Sequence, residues 1–100
     1  MHVLVVATPR DPIPPDMLGG MIDGALAWYD RYADKFTAFG TFPGGGGFGV
    51  LDVDDTATVS QMILEMPFAA VSSLDVRIFN PGRAGMEQFR DVYAQMTASR

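Results

Sequence analysis

The run Pro43–Gly47 (PGGGG) separates two short segments rich in aromatic and β-branched side chains, Thr37–Phe42 and Phe48–Val53. Glycine reaches backbone angles closed to other residues, so this run reads as a hairpin between two strands. It is not a phosphate loop. No Lys-Ser/Thr follows the glycines, and a strand rather than a helix comes after them. The stretch Gly40–Pro81 then continues as a second unit. Asp55 is placed to cap a helix. Val59, Met62, Ile63 and Met66 fall at helical steps on one face. Pro67 ends the helix, because proline restricts the residue before it and donates no backbone hydrogen bond. Ser73–Asn80 follows with period two, placing Leu74, Val76 and Ile78 on one side and Ser73, Asp75, Arg77 and Phe79 on the other.

Ahead of the hairpin, His2–Thr8 (HVLVVAT) is an apolar run that stops before Pro9 and reads as a buried strand. Arg10–Pro15 is a rigid loop, and Asp16 is a candidate helix cap. Met17 to about Ala33 is helical, with Leu18, Met21, Ile22, Ala25, Tyr29 and Tyr32 as its stripe and Trp28 at the edge. Asp23, Ala27, Asp30 and Asp34 take the opposite, solvated face. Gly19, Gly20 and Gly24 weaken this helix, each by about 1 kcal/mol relative to alanine. A second strand starts near Lys35 and runs to Phe42. After Pro81-Gly82 a last helix spans about Ala84 to Thr97, with Met86, Phe89, Val92, Tyr93 and Met96 as its stripe.

The order is β-α-β-β-α-β plus a terminal helix. That is an α+β chain on the ferredoxin-like plan, with two helices on one face of a four-stranded antiparallel sheet. One hundred residues make one domain, and so short a chain gains from burial by oligomerisation. The bare sheet face calls for a cover, and a second copy packed face to face would enclose a cavity between two sheets. With strand order 4-1-3-2, alternation puts Ser73, Asp75, Arg77 and Phe79 of strand four on that face, with Phe48, Val50 and Asp52 of strand three. Strand one is apolar on both sides, and we assign His2, Leu4, Val6 and Thr8 to the cavity.

His2, Asp52 and Arg77 are then the candidate catalytic residues. A carboxylate beside an imidazole fixes its tautomer and raises its basicity, which suits a general base. A guanidinium can hold a carboxylate or stabilise an enolate as charge develops. Candidate substrate contacts are Trp28, Tyr29, Phe39, Phe48, Val50, Asp75 and Phe79.

Composition narrows the partners. A hydrophobic content of 48% argues against disorder. With no cysteine and one histidine, neither a disulfide frame nor a thiolate metal site is expected, and no cofactor is implied. A net charge of −5 without a basic cluster speaks against nucleic acid. No apolar run approaches the roughly 18 residues of a membrane span, and the first residues lack a signal core. A cytosolic protein handling a small molecule is the expectation.

The run Gly47–Pro67 (GFGVLDVDDTATVSQMILEMP) resembles the muconolactone isomerase family and its small relatives. The matching pattern is a glycine before a strand ending in Asp52-Val53, then a capped helix ending in Met66-Pro67, then a strand like Val71–Pro81. His2-Val3 and the proline-rich loop agree more loosely. The resemblance implies a dimeric α/β barrel, often assembled into larger rings, and cofactor-free isomerisation of an unsaturated lactone by proton transfer. The chain departs from the family where the true isomerases carry a Trp-x-His run on a longer second strand. Here that place holds Thr41-Phe42 and the glycines, and Leu4 stands where the isomerases have a polar residue.

Three functions follow as expectations. One is a cofactor-independent isomerase or cyclase acting on a small lactone, enol or polyketide-like compound. Another is a non-catalytic dimeric binding module whose cavity is mainly Phe39, Phe48, Val50 and Phe79. The third is a cofactor-free monooxygenase on the same fold.

Overall fold

Four strands form one antiparallel sheet in the order β2-β3-β1-β4. They are β1 (His2–Pro9), β2 (Phe36–Thr41), β3 (Gly47–Asp52) and β4 (Ser72–Phe79), with helices α1 (Pro15–Tyr32), α2 (Thr56–Glu65) and α3 (Gly82–Ala98) between and after them. The computed structural model describes residues 1–98. The ferredoxin-like βαββαβ plan with a third helix is therefore present, in the strand order expected.

Local chemistry explains most boundaries. The β2–β3 hairpin closes through hydrogen bonds from Phe42 N to Gly46 O and from Gly45 N to Phe42 O, both 2.9 Å. Gly45 and Gly46 have φ of 104° and 81°, a region that favours glycine. A Cβ on Gly46 would stand 2.2 Å from the Ala7 carbonyl oxygen, so no other residue fits there. Asp55 caps α2 by accepting from the Thr58 amide at 2.8 Å. Helix α1 differs from expectation. Pro14 occupies its N-cap position without a side-chain cap, and Asp16 lies inside the first turn. A proline at N1 lacks one of the orphan N–H groups and is already set to the helical φ, so this helix starts without a capping side chain.

Register confirms the alternation read for three strands. His2 lies opposite Asp52 and Phe79, Leu4 opposite Val50 and Arg77, and Val6 opposite Phe48 and Asp75. These rows share the face away from the helices. Val3, opposite Leu51 and Ile78, belongs to the helix face. There the core forms from Val3, Leu51, Val53, Val59, Met62 and Trp28. Full burial of such a side chain contributes roughly 1.5–3 kcal/mol. Trp28 is the one buried residue of α1, so the centre of its packing face lies there rather than on the Leu18–Tyr32 stripe.

One expectation is corrected on the sheet. Strand β2 carries a bulge between Phe36 and Ala38, where Phe36 pairs with Leu51 and Ala38 with Val50. The extra residue shifts the phase, so Phe36 and Phe39 both face the helices. Phe39 is thus on the opposite side from Phe48. Val76 and Ile78 do lie on the helix side but stay 43% and 61% exposed, because β4 is an edge strand beyond the helix layer.

Helix α3 contributes no buried residue. Its stripe is open, with Met86 and Phe89 each 70% exposed. The molecule measures 60 × 26 × 23 Å, as expected for a helix lying off the core rather than on it.

Candidate functional site

A cavity lies between the sheet and the helices, on the side of the sheet away from the bare face. It has a volume of about 410 Å³. Its floor is the helix face of the sheet at Val5, Ala7, Gly47, Gly49 and Leu51. Its roof is Leu18, Ile22, Ala25 and Trp28 of α1, with Met62, Ile63 and Met66 around the end of α2. Two of its strand residues, Gly47 and Gly49, have no side chain, and the Phe36 ring packs where a Gly49 side chain would lie. At Gly49 an added Cβ would sit 2.8 Å from the Phe36 ring.

One wall is aromatic. Trp28 meets the Phe36 ring at 5.5 Å and Phe39 at 6.4 Å between centroids. Tyr29 lies behind it, 4.7 Å from Phe39 and stacked on Phe36 at 5.4 Å. The bulge in β2 makes this cluster, since plain alternation would turn Phe39 away. Trp28 is held by a hydrogen bond from Nε1 to the Met62 carbonyl oxygen, 2.9 Å.

Polar groups in the wall are few. They are the hydroxyls of Thr41 and Ser72 and the carboxylate of Asp11. Asp11 is already paired with Arg10 Nη2 at 3.0 Å. The same guanidinium nitrogen donates to the Ala70 carbonyl oxygen at 2.7 Å. The amides of Arg10 and Asp11 both donate to Val71 O, at 2.9 and 3.1 Å, which fixes this loop beside the start of β4.

The residues expected to be catalytic are elsewhere. His2, Asp52 and Phe79 form one row of the open face, and the His2 ring packs at 5.7 Å from Phe79. Among the described residues no hydrogen bond joins His2 to Asp52, which instead lies 3.7 Å from the Met1 amino group. Arg77 sits in the next row. Its Nε donates to both Asp75 carboxylate oxygens at 3.2 Å. The open face therefore collects His2, Asp52, Arg77, Asp75, Phe48, Val50 and Phe79 without assembling the first three into a hydrogen-bonded unit. Of the expected substrate contacts, Trp28, Phe39 and Phe48 line this cavity, and the Tyr29 ring supports Phe39 and Phe36 from behind.

Sequence reasoning missed Ser72, Thr41 and the glycine floor as cavity features. One signal was available: Gly47 and Gly49 alternate in phase with Leu51, so a strand face toward the helices lacks side chains. A second missed cluster joins α1 to α2. The Tyr32 hydroxyl donates to Glu65, and Arg31 Nη1 reaches the same carboxylate at 3.2 Å. The Tyr32 hydrogen bond, helped by Gln61 and Arg31, holds the Glu65 carboxyl below its ordinary range, and the same bond pushes the Tyr32 phenol up. The residues come from distant parts of the chain, so no local pattern announces them.

No family model and no curated sequence matches the chain. Several solved structures are similar to it, among them the following two. One is a 5-chloro-2-hydroxyhydroquinone dehydrochlorinase from Burkholderia phenoliruptrix AC1100, in complex with 2,5-dihydroxybenzoquinone. It is 20% identical with a TM-score of 0.66, over 83% of this chain and 97% of that one. The other is muconolactone isomerase, 13% identical with a TM-score of 0.70, over 83% of this chain and 93% of that one. Four antiparallel strands in the order β2-β3-β1-β4, under two crossover helices, are thus the muconolactone isomerase-like fold that the Gly47–Pro67 pattern implied.

Proposed function

We propose that this chain takes up a small, largely apolar ring compound in the cavity between sheet and helices. The observation that carries this reading is the wall itself: hydrocarbon and aromatic side chains around about 410 Å³, a size suited to a small ligand. Both similar structures belong to proteins whose names give a ring compound as substrate, which supports the same class here. In this reading the protein is a cofactor-free, cytoplasmic homodimer. The dimer is supported by surface area. A compact monomer of this mass exposes roughly 5,500 Å², against 7023 Å² here. The excess exceeds the roughly 800 Å² that one partner buries in a standard interface.

A second reading adds chemistry, as a cofactor-independent isomerase or cyclase acting by proton transfer. The placement of His2 beside Asp52, with Arg77 one row away on the same face, favours it. In a face-to-face dimer these groups would line the inter-sheet space. His2 or Asp52 would take the proton and Arg77 would hold the developing negative charge.

One titration separates the readings. Small lactones, unsaturated acids and polycyclic phenols are added while Trp28 fluorescence and the absorbance of the compound are followed. Saturable quenching with an unchanged compound spectrum supports binding alone. Quenching with a changing spectrum, lost in His2→Ala and Arg77→Ala, supports the isomerase or cyclase. No response from any compound overturns both.

A further inference from the structure

We infer that the cavity selects an uncharged ring compound bearing hydroxyl or carbonyl oxygen, anchored by Ser72 and Thr41, and rejects carboxylates. This rests on the cavity being the ligand site, and it names the ligand class. The Ser72 residue is only 8% exposed and lines the cavity. Among the described residues, no side-chain hydrogen bond engages the hydroxyl of Ser72 or that of Thr41. Each is free to donate to a ligand oxygen or to accept from a ligand hydroxyl.

Their places in the sheet matter. Thr41 ends β2 at one edge and Ser72 opens β4 at the other, both on the helix side. Three strand spacings across the sheet and two residues along β4, from Leu74 in the row of Thr41 to Ser72, separate them by roughly 16 Å. A ring compound in the cavity can therefore place an oxygen at either anchor, with its hydrocarbon against the wall between them. The aromatic wall of Trp28, Phe36 and Phe39 suits a flat ring.

Charge decides against anions. The one ionised group in the wall, Asp11, is negative. The nearest guanidinium, Arg10, is committed to Asp11 and to the Ala70 carbonyl oxygen. A carboxylate entering the cavity would lose its water and find no cation in return.

The test is calorimetry on the intact protein at neutral pH with matched compounds: methyl 2-naphthoate against 2-naphthoate, and 2-naphthol against naphthalene. The ester should bind at least about tenfold more tightly than the acid. Ser72→Ala or Thr41→Val should weaken 2-naphthol about three- to tenfold and leave naphthalene unchanged. Ala25→Phe, which fills the roof, should abolish all binding, with far-UV circular dichroism confirming its fold. Equal or tighter binding of 2-naphthoate overturns the charge selection while the cavity reading stands. Unchanged 2-naphthol affinity in both hydroxyl variants overturns the anchors. Failure of all four compounds to bind overturns this inference and the proposed binding function together.

Discussion

The indole Nε1–H of Trp28 donates to the Met62 carbonyl oxygen at 2.9 Å, across the core from α1 to α2. Met62 lies in the last turn of α2, where carbonyls lack intrahelical partners. The next available amide, Met66 N, goes instead to Ile63 O at 3.1 Å. A side chain from another helix thus completes the end of α2. Trp28→Phe keeps an aromatic ring and removes the donor. It should cost about 1–3 kcal/mol, because a buried carbonyl loses its partner. Urea unfolding checks this, with a lower midpoint and an unchanged slope.

Acid sensitivity should trace in part to Asp55. The Thr58 amide and then the Thr58 hydroxyl hold its carboxyl below the ordinary aspartate range. A carboxyl whose pKa is lower folded than unfolded stabilises the fold above the unfolded value, and that contribution fades as pH falls through the folded one. Asp55→Asn should therefore be less stable than the wild type at neutral pH, and the difference should vanish in strong acid. Asp54→Asn, beyond the cap, should show neither effect. Thermal melts across the acid range read both.

The hairpin predicts opposite outcomes for neighbouring glycines. Gly46→Ala meets both a positive φ and the Ala7 carbonyl oxygen, so it should destabilise by more than the roughly 1–3 kcal/mol of the backbone strain alone. Gly44 has nothing within 4 Å of an added Cβ and is not at positive φ. Gly44→Ala should be neutral or stabilise by about 0.4–1 kcal/mol, through a less flexible unfolded chain. The denaturant midpoint should fall for Gly46→Ala and hold or rise for Gly44→Ala.

Helix α3 should matter to assembly more than to the fold. Its Met86, Phe89 and Tyr93 are 70%, 70% and 62% exposed. A stripe of this kind on a helix with no buried residue marks an interaction surface. Met86→Ser with Phe89→Ser should lower the mass found by light scattering and leave far-UV circular dichroism little changed. An unchanged mass would exclude the stripe from the interface.

Much of the fold was readable because its signals are local. The glycines at 45 and 46, the Asp55 cap, the Pro67 stop and the period-two alternation of β1, β3 and β4 each depend on a few adjacent residues. The phase of β2 did not, since Phe36, Phe39 and Thr41 reach the helix side only through a bulge with no glycine or proline to mark it. The place of Trp28 was also hidden. A helical wheel weighs hydrophobicity alone, whereas Trp28 is drawn inward by an acceptor on another helix. The cavity on the helix side was not read from the sequence. A void depends on what two layers leave unfilled, here over Gly47, Gly49 and Ala25, and no single segment carries that information.

The irregularity in β2 has a consequence for how such a sheet can change. Because it lies between Phe36 and Ala38, everything C-terminal to it in the strand is out of step with what precedes it. Deleting the extra residue there, Thr37, would leave Phe39 and Thr41 on the cavity side, because Ala38 would then follow Phe36 in plain alternation. A single-codon deletion would in this way straighten the ladder and keep the lining of the pocket, whereas straightening the strand with Thr37 in place would exchange that lining with the skin of the sheet.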